Sequence, residues 1–142
     1  MASESSTAAL QRYSDFVEQV LRPQLQQTLV HRDALTREVH EYQELRELLQ
    51  TLADPTPEPL HTLVDVGERF YVRAKVDDAS LVTVDIGLEF HVEMTVTEAQ
   101  RFVGSQLLYL TTKRNKWQLK AREVSDHVNL VIASIEQLAA LQ

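Results

Sequence analysis

From Val103, steps of four and three residues taken in turn visit Leu107, Leu110, Arg114, Trp117, Ala121, Val124, Val128, Val131, Ile135 and Leu138. Ten of these eleven positions are apolar. A heptad spacing held for that long lays one apolar seam along a helix and demands a second helix to cover it. Thr95 and Glu98 form T-x-x-E at the start, a capping box able to satisfy two orphan N–H groups.

A matching partner lies earlier in the same chain. The same stepping from Leu21 visits Leu25, Thr28, Arg32, Leu35, Val39, Tyr42, Arg46, Leu49 and Ala53, mostly apolar. Asp33, Arg37, Glu38, Glu41, Glu44 and Glu47 fall off this seam, where water can solvate them. No glycine interrupts residues 7–53, and Pro23 marks a kink or the joint with a separate first turn. Pro55, Pro57 and Pro59 stop the helix, because each lacks an N–H and restricts the residue before it. Each helix is about 45 residues, or roughly 65–70 Å at 1.5 Å per residue. Two helices of equal length, one seam each, joined by a compact insert, are expected to fold back as an antiparallel hairpin.

The insert is an internal repeat. "VDVGERFYVRAKV" (64–76) and "VDIGLEFHVEMTV" (84–96) align at an offset of twenty, with six of thirteen positions identical. Each copy reads as a β-hairpin: a short strand, a glycine able to take φ > 0, then an alternating strand. Phe70, Val72, Ala74 and Val76 alternate with Tyr71, Arg73 and Lys75; Leu88, Phe90, Val92, Met94 and Val96 alternate with Glu89, His91, Glu93 and Thr95. A period of two gives each strand one face to bury. Asp65 and Asp85 precede the glycines and suit local turn hydrogen bonds, and Asp77–Ser80 forms a polar link between hairpins. Two such ribbons have open edges and too few residues to cover an apolar face, so hairpins from several subunits are expected to close a barrel. The expected interface residues are Val64, Val66, Phe70, Val72, Val76, Val82, Val84, Ile86, Phe90, Val92 and Met94.

The expected fold class is therefore α+β: a long antiparallel two-helix coiled coil with two β-hairpins inserted between the helices. Residues 1–8 ("MASESSTA") read as a disordered tail, and 9–142 as one domain. Within it 9–53 is the first helix, 54–96 the proline loop and hairpins, and 97–142 the second helix. The helical hairpin brings Leu10, Tyr13, Phe16, Val17 and Val20 near Val128, Ile132, Ile135 and Leu141, at the end away from the insert. Some of these, such as Phe16 and Ile132, exceed what the seam needs and are expected to bind an unfolded or partner chain.

Composition narrows the function. Fourteen Lys+Arg against 21 Asp+Glu give a net charge of −7, which disfavours a nucleic-acid or anionic-membrane surface. No apolar run approaches the roughly 18 residues that span a bilayer, and the first residues lack the basic and apolar regions of a secretory signal. Zero cysteines exclude disulfides and thiolate metal sites and fit a cytoplasmic or nuclear protein.

His31-Arg32-Asp33 matches the opening of the protein-kinase catalytic loop, but Glu38 stands where the magnesium-binding Asn belongs and Ala34 replaces Leu. Gly67, Gly87 and Gly104 are too scattered for a phosphate cradle. Arg32 lies in the seam, so the tripeptide reads as mid-helix. His31, His40, His61, His91 and His127 lack metal-ligand spacing, and no nucleophile accompanies Asp65 or Asp85. No catalytic residue, metal or cofactor is expected. The basic run Lys113–Arg122 could draw RNA, with Trp117 stacking, but Trp117 sits on the seam and reads as core.

Helix, paired hairpins, helix resembles the layout of an α-class prefoldin subunit. "VDIGLEFHVEMTVTEA" (84–99) is similar to that family's passage from second hairpin to second helix, and "VDVGERFYV" and mid-helix HRD also have counterparts there. Glu89 stands where the family commonly has a second glycine. The resemblance implies a hexamer of α- and β-type prefoldin or prefoldin-like subunits, with a barrel of hairpins and coiled-coil tips that hold unfolded clients. It implies no nucleotide or metal. For one branch of the family it implies a prefoldin-like complex working with the R2TP co-chaperone. The runner-up is a scaffold or transcription cofactor that uses the same fold to join transcription factors or other proteins.

Overall fold

A computed structural model describes residues 2–53 and 59–141 of the chain. Its elements are helix α1 (Ala2–Phe16), a π-helical turn (Val17–Leu21), helix α2 (Arg22–Leu52), strands β1 (Leu60–Gly67), β2 (Phe70–Val76), β3 (Leu81–Gly87) and β4 (Phe90–Thr95), and helix α3 (Val96–Ala140). Long helices flanking two hairpins is the expected α+β class. The chain divides into two units, residues 1–39 with 109–142 and residues 40–108, and α2 and α3 contribute to both.

In the first unit the two seams meet. Leu21, Thr28, Leu35 and Val39 are buried from one side, and Leu110, Ala121, Val124 and Val128 from the other. Thr28 is tolerated there because its hydroxyl donates to the Gln24 carbonyl at 2.7 Å. Val17, Leu21 and Val128 form a core cluster, with Val131, Ile132 and Ile135 packed against it. The helical register before Leu21 departs from simple heptads. The Arg22 N–H donates to the Val17 carbonyl, one residue further back than in an α-helix. Pro23 supplies the reason: it has no N–H, and its ring crowds the carbonyl four residues earlier, so a widened turn ahead of it lets the helix continue.

The expected tail is a correction. Residues 2–8 are the first turns of α1. Their run of Ala with Ser and Thr carries little apolar pattern, and helix there continues from the packed turn downstream.

In the second unit Leu49, Val96, Ala99, Val103 and Leu107 are buried. Val96, expected as the last strand residue, instead opens α3; its N–H donates to the Ser80 carbonyl at 3.2 Å. Thr95 accepts from the Glu98 N–H at 3.2 Å, the N-cap bond that T-x-x-E announced. The stop at Leu52 agrees with the proline reading, though Pro55 and Pro57 lie outside the described residues.

Each hairpin is its own two-stranded antiparallel sheet, β1 with β2 and β3 with β4. The repeat is structural: Val64 faces Val72 and Val84 faces Val92, and each ladder slips between its Asp and its Gly. Asp65 accepts from the Gly67 N–H at 2.8 Å and Asp85 from the Gly87 N–H at 2.9 Å, the turn bonds expected of both. Between the hairpins, Asp78 accepts from the side chain and backbone N–H of Ser80, which hold its carboxyl below the usual carboxylate range. That contribution is present at neutral pH and is lost as the pH falls through the lowered value.

The turns carry a cost. Gly67 and Gly87 have φ of 93° and 97°, but the next two residues are also left-handed: Glu68 (53°), Arg69 (65°), Leu88 (53°) and Glu89 (64°). Leu88, expected on a buried strand face, is thus a turn residue, 91% exposed. A left-handed non-glycine residue costs roughly 1–2 kcal/mol, and a glycine's extra unfolded-state freedom offsets about half of that. Glu89→Gly is therefore expected to stabilise by up to about 1 kcal/mol, and Gly87→Ala to destabilise by at least that much, read as shifts in the urea midpoint. No atom lies within 4 Å of a Cβ added at Gly87, so the second change reports backbone strain, net of the unfolded-state entropy, without a steric clash.

Candidate assembly and binding surfaces

The hairpins fold with most of their apolar side chains on one face, which no described residue of the chain fully covers. Pairing places Leu60 opposite Val76, Thr62 opposite Ala74 and Val64 opposite Val72, while the other face carries His61 with Lys75, Leu63 with Arg73 and Asp65 with Tyr71. Of the expected interface residues, Val64, Val66, Phe70, Val72, Val76, Ile86, Phe90 and Val92 are exposed, and Val82, Val84 and Met94 half-buried. Phe70 is 70% and Phe90 64% exposed. Single exposed apolar residues are ordinary, but this many on two ribbons form a surface of the kind that marks a protein contact.

Sequence reasoning missed the apolar groove that Val82 and Val84 share with Leu45, Leu48, Leu52 and Phe102. Leu45 and Leu48 lie off the heptad seam and were invisible to a strict stepping of four and three. The signal that could have found them is the surplus of leucine in "ELRELLQTL" (44–52) beyond one per heptad position.

The expected tip residues separate into two sets. Tyr13, Phe16, Val20 and Leu141 are exposed and Leu10 half-buried, as a binding surface needs. Val17 and Val128 are corrections: at 3% and 8% exposure they are core, Val128 as a position of the α3 seam itself and Val17 because the π-helical turn rotates it onto that seam. Ile132 and Ile135 are half-buried against that cluster, and Phe16 lies edge-on to His127 at 6.1 Å.

His31-Arg32-Asp33 ties the two helices together. The His31 ring stacks on Trp117 at 4.7 Å, and Arg32 donates to Gln118 at 3.0 Å across the seam. Asp33 anchors the same guanidinium at 2.7 Å. The seam thus admits Arg32 by pairing its charge with Asp33 on one side of the fork and giving its other N–H group a neutral acceptor, Gln118, on the other. The Asp33 carboxylate side chain is 59% exposed, so Asp33→Asn is expected to cost no more than about 0.5 kcal/mol in thermal unfolding.

Among the described residues no group of three or more His, Cys, Asp or Glu is placed to hold a metal, and no helix is long and apolar enough to cross a membrane.

These features coincide with one known architecture. The Prefoldin family ("Prefoldin subunit") matches residues 21–141, and the chain belongs to that family. Within it the chain is UXT-like. It is 28% identical to Protein UXT of Bos taurus and to Protein UXT of Homo sapiens, each over 141 residues covering 99% of this chain and 90% of the relative. A Protein UXT homolog of Dictyostelium discoideum is 25% identical, covering 94% of this chain and 83% of the relative. Among solved structures, filamentous PFD from Methanocaldococcus jannaschii, determined by cryo-EM, superposes with a TM-score of 0.67 at 19% identity, covering 84% of this chain and 98% of that one. At that identity the likeness speaks for the fold.

Proposed function

We propose that this chain is a non-enzymatic subunit of a prefoldin or prefoldin-like chaperone complex. It assembles through its hairpins with α- and β-type subunits, and it holds unfolded or partner proteins with the exposed apolar residues of its first unit. One observation carries the reading: two hairpins whose apolar residues stay largely exposed, open along the first hairpin and only partly covered by the helices at Val82, Val84 and Met94 of the second. A monomer gains nothing from such faces, whereas hairpins from several subunits cover one another and remove their edges. The filamentous assembly named for the Methanocaldococcus relative is in keeping with a fold that associates. Work alongside R2TP components is the finer form of this proposal, with the compartment cytoplasmic, nuclear or both.

A native mass spectrum of the chain purified from its own cells tests it. Hetero-oligomers containing other prefoldin-type subunits, with or without R2TP members, are the expected result. A stable monomer at micromolar concentration would overturn the assembly reading. Recovery with transcription factors alone would favour a scaffold over a chaperone.

A further inference from the structure

Charge is distributed unevenly along α3. Residues 99–122 hold six of the fourteen Lys and Arg (Arg101, Lys113, Arg114, Lys116, Lys120 and Arg122) and none of the 21 Asp and Glu. At about 100° per residue, Lys113, Lys116 and Lys120 fall within an arc of roughly 60°, with Tyr109 on the same line, over about 16 Å of helix. All four are exposed. Among the described residues none of the three ammonium groups has a carboxylate within ion-pair distance. Instead, Lys113 lies over the Tyr109 ring at 5.9 Å and Lys120 over the Trp117 ring at 5.0 Å. These two contacts leave the ammonium donors of exposed side chains without a carboxylate to bind.

We propose that this strip is a docking site for an acidic helix of a partner protein. Its steps of three and four residues, about 4.5 and 6 Å of rise, match carboxylates at i, i+3 and i+7 on a helix lying alongside. Charge complementarity selects the partner's sign: the strip lies in a stretch of helix, residues 99–122, without a carboxylate of its own, and Glu123, the first acid beyond it, makes no ion pair with these lysines. A nucleic acid fits less well. The His31 ring is already stacked on Trp117, so that face is not offered to a base, and the acidic remainder of the chain would repel a long polyanion. The site is separate from the hairpins and stands whether or not they assemble as proposed.

The test is fluorescence anisotropy of labelled peptides on the full-length chain at low salt. One probe is an alanine-rich 18-residue helix with glutamates at i, i+3 and i+7; a second has the same composition with glutamates spread around the helix; a third is an 18-nucleotide oligouridylate. The striped peptide is expected to bind saturably and several-fold more tightly than either control. Replacing Lys113, Lys116 and Lys120 together by Gln is expected to weaken it about tenfold, the sum of three exposed ion pairs. The triple Glu variant is expected to abolish it, with an unchanged helical circular dichroism signal showing that both variants fold. Absence of saturable binding, equal binding by the scattered peptide, equal binding by the Gln variant, or tighter binding of the oligouridylate would each overturn the proposal.

Discussion

Phe90→Asp is expected to strip the chain of its partner subunits while leaving its helical signal nearly intact. In the single chain this side chain is 64% exposed, so a carboxylate there meets water and costs little. In an assembly closed by hairpins the same carboxylate would be buried without a partner, at a cost on the order of 3 kcal/mol or more. That corresponds to at least a hundredfold loss of affinity at each contact. Glu93→Ser, paired with Thr83 on the opposite face, is the control and is expected to co-purify normally. The contrast tests the period of two directly, since the residues differ in face and little in position. Equal co-purification of both variants would mean that the apolar faces are not where subunits meet.

The seams were the most legible part of this molecule. All eleven positions stepped from Val103 are buried or half-buried, including Arg114 and Trp117. The weaker first seam failed only at Arg46 and Ala53, which are exposed. Long repeats average over local exceptions, which is why three Arg and one Thr did not hide them. The hairpins were legible for a different reason: two copies confirm each other, down to the Asp that bonds its Gly. What pattern could not supply was geometry that depends on one residue's backbone. Nothing in "GLEF" says that Leu88 and Glu89 turn left-handed, since a leucine reads as strand by hydropathy. Nor does periodicity foresee a π-helical turn, which inserts one residue into the helical phase and decides whether Val17 or Val20 points inward. Assigning tip residues by apolar character alone therefore mixed core with surface.

That same turn gives the sharpest test of the proposed client-binding surface. Leu21 is 2% exposed and Val20 48%, though they are neighbours in sequence. Leu21→Asp buries an unpaired charge in the cluster with Val17 and Val128, and is expected to unfold that unit at a cost of about 3 kcal/mol or more. Thermal unfolding should then show an early transition. Tyr13→Asp with Val20→Asp places two charges on exposed positions instead, and is expected to leave stability within about 1 kcal/mol of the parent. Its effect should fall on function. An unfolded client gains about 25 cal/mol for each Å² of apolar surface it covers, so losing two such residues weakens each subunit's grip modestly. In the proposed assembly, where several subunits would grip one client, that loss multiplies, because linked weak contacts add in free energy. The double variant is therefore expected to assemble normally yet protect a denatured model protein from aggregation much less well. If it protects as well as the parent while Leu21→Asp does not, the exposed residues are bystanders and only the fold of this unit matters to its work.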